Sequence, residues 1–214
     1  SGPSSNKALF LGRFALLRKL ARGGMGTIYL ARTEGAAGFR KPVAVKILHP
    51  HLMDDKSAVK SFIREAKLAA RLVHPNIVQV IDFGEHAHQY LTVLEYVHGH
   101  DLGAIVRYLT GTGRRLALEH SVFVASELLR GLDFAHSLRD ESGQPLGLVH
   151  RDISPQNVLI SVDGQVKLTD FGVARIITEV TQSGGDSLKG KLAYMAPEQV
   201  SGGTVDHRSD LFAM

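Results

Sequence analysis

The chain has 214 residues, 25 Lys and Arg against 21 Asp and Glu, a formal charge of +4, and 44% hydrophobic residues. This is an ordinary globular composition, long enough for one sizeable core or a two-lobed unit. The basic residues form no run, which speaks against a nucleic-acid partner, and the lack of cysteine excludes disulfides and thiolate metal sites and fits a reducing cytoplasm.

Residues 1–13 read as a flexible lead. Residues 14–20 are apolar-rich and predict a strand. A glycine loop follows, and 27–32 resumes as β-type sequence. Residues 34–41 predict a turn, and 42–48 a buried β-branched strand. From 55 to 72 the period becomes helical, with Val59, Phe62, Ala66 and Ala69 recurring at three and four. His74-Pro75-Asn76 stops that helix. Residues 77–83 and 90–96 predict two further strands. Residues 101–109 and 118–136 predict helices, the second placing Val122, Ala125, Leu129, Leu132 and His136 on one face. Short strands are predicted at 158–160 and 166–168. The remainder to Tyr194 is a long loop of the kind that usually carries function or is disordered. The change of character near 97–99 predicts a hinge between 14–97 and 98–214. No apolar run is long enough to cross a bilayer, and no signal peptide is visible.

Several short segments carry chemistry. Ala21-Arg22-Gly23-Gly24-Met25-Gly26-Thr27-Ile28 lies between two predicted strands. Glycines let backbone N–H groups approach phosphate oxygens, although a hairpin turn needs them too. No Gly-Lys-Ser/Thr follows and no helix comes next, which excludes a Walker A loop and a dinucleotide fingerprint. Val43-Ala44-Val45-Lys46 puts one ammonium in an apolar strand. Either the amine reaches water or it needs an acidic partner, and Glu65 on the next helix is the obvious one. His150-Arg151-Asp152-Ile153-Ser154-Pro155-Gln156-Asn157 offers a carboxylate and a carboxamide five residues apart, for a substrate hydroxyl and a metal ion; alone it could be a polar turn. Asp170-Phe171-Gly172 follows a short strand, and Ala196-Pro197-Glu198 comes later.

These segments occur in one order in one chain, and that order resembles the protein-kinase signature set. The chain resembles the bacterial members of the eukaryotic-type Ser/Thr protein kinases from about residue 14 to its end. The likeness implies an α+β, two-lobed fold: a small antiparallel β-sheet lobe with one helix, and a mainly helical lobe, incomplete here. It implies ATP between the lobes as substrate, with Mg2+. Ala21, Gly23 and Gly26 would lie over the phosphates. Ile28, Ala44 and Leu159 would sandwich adenine, and the backbone of Glu95 and Val97 would bond its edge. Leu94 would stand as gatekeeper, and Asp101 would bond the ribose. Lys46, fixed by Glu65, would hold the α- and β-phosphates. Asn157 and Asp170 would hold metal, and Asp152 would take the acceptor proton. Arg151 and Arg175 would form a phosphate pocket for an activation-loop site, best aligned with Ser187; Thr178, Thr181 and Ser183 are alternatives. Asp210 would brace the catalytic-loop backbone. Expected partners are protein substrates and a kinase dimer for trans-autophosphorylation, and the expected location is cytoplasmic.

The chain departs from the pattern. Ala21 replaces the first glycine. Ser154 stands where the family has Lys, and Lys191 where it has Thr beside the catalytic Asp. Two readings follow: Lys191 and Ser154 have exchanged roles in catalysis, or the chain is a pseudokinase that binds nucleotide as a scaffold or regulator. With few helices after Asp210, an apolar face of the 118–136 helix is expected to lack cover. His86, His88, His98 and His100 raise a metal-binding alternative, disfavoured by the lack of Cys.

Overall fold

The computed structural model describes residues 9–171 and 192–214. They fall into two compact units, Ser1–Ala66 with Gln79–Tyr96, and Lys67–Val78 with Val97–Met214. The second thus also takes the segment after the first long helix, not only the residues beyond the predicted hinge.

The first unit is built on a six-stranded antiparallel sheet in the order β1-β2-β3-β4-β6-β5. The strands are β1 (Leu9–Leu11), β2 (Phe14–Arg22), β3 (Gly26–Glu34), β4 (Arg40–Leu48), β5 (Val80–His86) and β6 (Gln89–Glu95). Strand β1 lies inside the expected flexible lead; Leu11 is buried against the sheet, which gives the segment apolar area to lose if it frays. Strand β4 is central, and Val43, Ala44, Val45, Ile47 and Leu48 are all buried. With both faces covered, such a strand has no reason to alternate. Phe14, Leu16, Ala31, Val45 and Val93 share its core.

Helix α1 (Lys56–Ala69) turns Ala58, Phe62 and Ala66 inward. The expected stripe began at Val59, which is only half-buried. The Phe62 ring meets Phe83 of β5 at 6.2 Å, so the bulkiest apolar side chain sets the face and Ala58, one turn earlier, follows it.

The second unit carries a small antiparallel sheet of β7 (Gly99–Asp101), β8 (Val158–Ser161) and β9 (Val166–Leu168), with helices α2 (Leu102–Gly111), α3 (Leu118–His136), α4 (Pro197–Ser201) and α5 (His207–Phe212). Strand β7 was not expected. Its Gly99 sits so close to the Ile160 carbonyl of β8 that a Cβ would collide. Residues 77–83 do not form one strand: Ile77 bridges Leu168 and the Val78 N–H donates to the Leu168 carbonyl (2.8 Å), before β5 begins at Val80.

Helix α3 has the predicted bounds but not the predicted face. Val124, Leu128, Leu132 and Ala135 enter the core with Leu72, Ile77, Ile153, Val166, Leu168 and Phe171. Val122 is 60% exposed and Leu129 45%. The helix carries apolar residues beyond a single stripe, so its period admits more than one inward face, and packing chooses. Its outer side shows Leu118, Val122, Phe123 and Leu129 to solvent.

Candidate active site

In the first unit, Lys46 projects from β4 and its Nζ donates to Glu65 Oε1 of α1 at 2.6 Å. The two side chains are 14% and 16% exposed. At that burial the pair is poorly screened, and each charge stabilises the other. Ala44 lies two residues before Lys46 on β4, opposite Leu30 and Leu94 in the sheet. Ile28 faces Ala21 on β2 and Lys46 on β4. The Glu95 carboxylate oxygen Oε1 accepts from the Gln79 N–H at 2.8 Å.

The glycine loop joins β2 to β3. The Gly23 N–H donates to the Gly26 carbonyl (2.8 Å), which closes the turn. Gly26 packs so tightly on the Ile47 carbonyl that any side chain would be blocked. His49, just past β4, ties the loop down. Its N–H donates to the Met25 carbonyl (2.9 Å) and its ring Nε2 bonds the Gly23 carbonyl (2.9 Å).

In the second unit, Asp152 and Asn157 are joined directly. The Asn157 amide Nδ2 donates to the Asp152 carbonyl (2.6 Å) and to Asp152 Oδ2 (3.0 Å). Both residues are buried. The Thr169 N–H donates to the Asn157 carbonyl (2.9 Å), which brings Asp170 beside this pair along the backbone. Asp170 has φ +56° and Arg151 φ +66°. Both lie in the left-handed region, where a non-glycine residue is held only if its surroundings determine it.

For Arg151 those surroundings are clear. Asp210 of α5, 1% exposed, accepts from the His150 N–H through Oδ2 and from the Arg151 N–H through Oδ1, each at 2.8 Å. Its Oδ2 also accepts a hydrogen bond from His136 Nε2 at 2.8 Å. Gln199 of α4 donates to the Arg151 carbonyl (3.0 Å) and accepts from the Ala196 N–H (3.1 Å). His150 is fully buried, against the Phe171 ring at 4.5 Å. Its Nδ1 accepts from the Asp152 N–H (3.2 Å) and its Nε2 donates to the Thr169 carbonyl (3.1 Å). These partners require one neutral tautomer. Burial accordingly holds its pKa below the usual 6.5, against the opposing pull of Asp210 and Asp152.

Asp101 caps α2, accepting from the Ala104 N–H at 2.7 Å, and stands opposite Leu159 in the β7–β8 ladder. Val97 is half-buried. Ser154 is 2% exposed, and its hydroxyl oxygen finds no hydrogen-bond partner among the described residues. Lys191, Arg175, Thr178, Thr181, Ser183 and Ser187 lie outside the described residues. Glu198 bonds the Ser209 hydroxyl, and that bond holds its carboxyl below the usual range. Sequence reasoning missed His49, His136, Gln199 and the tautomer of His150; except for the His136–Asp210 bond, their partners are backbone atoms, which leave no residue-type signal.

The protein kinase domain family matches residues 14–214. The chain belongs to that family. It is 43% identical over 203 residues to the tyrosine-protein kinase MasK of Myxococcus xanthus, covering 95% of this chain and 31% of that protein. It is 35% identical over 203 residues to the serine/threonine-protein kinase PrkC of Bacillus subtilis, covering 95% and 29%. To the serine/threonine-protein kinase PknA of Mycobacterium tuberculosis it is 37% identical over 210 residues, covering 95% and 45%. The chain thus spans less than half the length of these kinases. The crystal structure of the Mycobacterium tuberculosis PknI kinase domain superposes with a TM-score of 0.68 at 29% identity, over 98% of this chain and 74% of that one. The chain has the α+β architecture of that domain, and among its described residues no helix is long and apolar enough to cross a membrane.

Proposed function

We propose that this protein kinase transfers the γ-phosphoryl group of ATP to a Ser or Thr hydroxyl of a protein. The observation that carries the reading is the buried Asp152–Asn157 clamp beside Asp170. The clamp uses Asn157 Nδ2 and leaves Oδ1 as an acceptor. That oxygen and the Asp170 carboxylate are hard donors, few in number, as suits Mg2+, which takes one or two protein oxygens and fills its shell with phosphates and water. Bound there, Mg2+ would neutralise charge on the phosphates.

Asp152 accepts the proton of the acceptor hydroxyl as its oxygen bonds the γ-phosphorus and the bond to the β,γ-bridging oxygen breaks, releasing ADP. The Asn157 amide keeps the Asp152 carboxylate oriented. Lys46, held by Glu65, binds the α- and β-phosphates. Ala21, Gly23 and Gly26 line the phosphate side, Ile28, Ala44 and Leu159 the adenine, the Glu95 and Val97 backbone its edge, and Asp101 the ribose. Lys191 takes the role of the catalytic-loop Lys that Ser154 replaces, and the Ser154 hydroxyl, which has no partner among the described residues, supplies the exchanged oxygen. An unsatisfied buried hydroxyl demands such an explanation.

Two other readings have observations behind them. Likeness to MasK favours a Tyr acceptor. The Ser154 replacement favours a nucleotide-binding scaffold without turnover, against which the Lys46–Glu65 and Asp152–Asn157 pairs argue. Radiolabelled ATP with magnesium, followed by mass spectrometry of the products, separates them. Label on Ser or Thr supports the proposal and label on Tyr alone supports the second reading. No label beyond that of Asp152→Asn supports the third. Asp152→Asn is expected to lose about 10²- to 10⁴-fold in rate. Lys191→Ala should cripple transfer as well; full activity of that variant would remove the exchange.

A further inference from the structure

We propose that His49 is a positioning residue for nucleotide phosphates, aiming the Gly24 amide by pinning the peptide before it. The step rests on the reading above that the glycine loop receives those phosphates.

His49 is 7% exposed and holds the loop at two points, the Met25 and Gly23 carbonyls. Because a carbonyl can only accept, the ring Nε2 carries the proton. His51 stacks on the ring at 5.3 Å between centroids, with planes 18° apart. In a trans peptide the C=O and the following N–H point in opposite directions. A Gly23 carbonyl turned onto His49 therefore sends the Gly24 N–H away from His49. Gly24 is exposed there, with nothing within 4 Å of where its side chain would be. The Gly24 and Met25 N–H groups donate to no acceptor among the described residues. Free, neighbouring amides of this kind form an anion cradle.

The peptide needs a tether because of its composition. With glycine on both sides, its plane can turn over at little steric cost. A loop whose amide faces either way binds phosphate with only a fraction of its population. The ring bond of His49 removes the wrong orientation in advance. A residue that served only to pack the end of β4 would act on every ligand alike, whereas this one acts through the phosphates.

The test measures ATP and adenosine affinity by calorimetry, with magnesium, on the chain as it stands. His49→Leu keeps bulk and loses the donor, and His49→Gln restores an amide donor at similar reach. His49→Leu is expected to weaken ATP about five- to tenfold while adenosine stays within about twofold, the size of one lost hydrogen bond. His49→Gln should bring ATP back to within about threefold of the parent. Unchanged ATP affinity in His49→Leu overturns the proposal. So does equal weakening of both ligands, or failure of His49→Gln to recover ATP. If the parent itself binds ATP no tighter than adenosine, the phosphate reading of the loop fails, and His49 with it.

Discussion

The two units hold their functional side chains by different means. In the first, Lys46 is paired with a side chain, Glu65, reaching from a helix to a strand. In the second, Asp152 stands on a loop whose backbone is tied at the His150 N–H, the Arg151 N–H and the Arg151 carbonyl, by Asp210 and Gln199. A strand needs no such bracing, because its ladder already satisfies the backbone. A loop with a non-glycine residue at φ +66° does. The difference separates function from stability: in the first unit a substitution can remove the charge and leave the fold, whereas in the second the same groups serve both.

Asp210→Ala against Glu65→Gln would break or sharpen this contrast most. Asp210 is buried and accepts three hydrogen bonds. Removing it strands two backbone donors and a histidine, and should cost about 3–5 kcal/mol of stability. Glu65→Gln keeps the shape and a weaker hydrogen bond, and should cost about 1–2 kcal/mol. It should lower ATP affinity, since Lys46 loses the carboxylate that holds it. Chemical denaturation and nucleotide titration of both variants check this. Equal losses of stability would show that the two units are not braced differently.

Gln199→Met comes next. It removes both bonds of Gln199 while keeping its length, and the Arg151 peptide is then held from the Asp210 side alone. Rate should fall by about tenfold, as for one lost hydrogen bond expressed in the transition state. KM for ATP should stay where it was, because the Gln199 side chain bonds the Arg151 carbonyl and the Ala196 N–H and neither belongs to the residues proposed to hold ATP. A rise in KM with an unchanged rate would assign Gln199 to binding instead.

What was legible in the sequence follows the same division. Lys46 and Glu65 could be paired from the chain because an ammonium among Val43, Ala44 and Val45 needs an acid, and the next helix offers one. Strand β9 and helix α3 have their predicted bounds because pattern and breakers coincide there. The face of α3 was not legible: apolar residues at 122, 123, 124, 128, 129 and 132 satisfy more than one stripe. Ile77 and Val78 read as part of β5 because their β character is real, but they belong to the second unit and their bonds go to Leu168 of β9 there. The bracing by Gln199 and the loop contact of His49 are side-chain bonds to carbonyls, and every residue has a carbonyl.

The smallest expected effect concerns His150, and its sign is fixed by its partners. Both ring nitrogens are engaged, one accepting and one donating, so a second proton would have to displace the Asp152 N–H. Burial holds the folded pKa below the ordinary 6.5. Above that value neither the folded nor the unfolded chain carries the proton, and stability is independent of this group. As pH falls through it, the unfolded chain takes the proton first and stability declines, by at most about 1.4 kcal/mol per pH unit for one group. Gln at this position can donate from Nε2 and accept at Oε1, and it does not titrate. Urea midpoints between about pH 7.5 and 5.5, the span over which an ordinary His titrates, should therefore fall less steeply for His150→Gln than for the parent. Parallel slopes would mean that His150 takes up its proton in the folded protein as readily as in the unfolded one, and that the bonds to Asp152 and Thr169 do not hold it neutral.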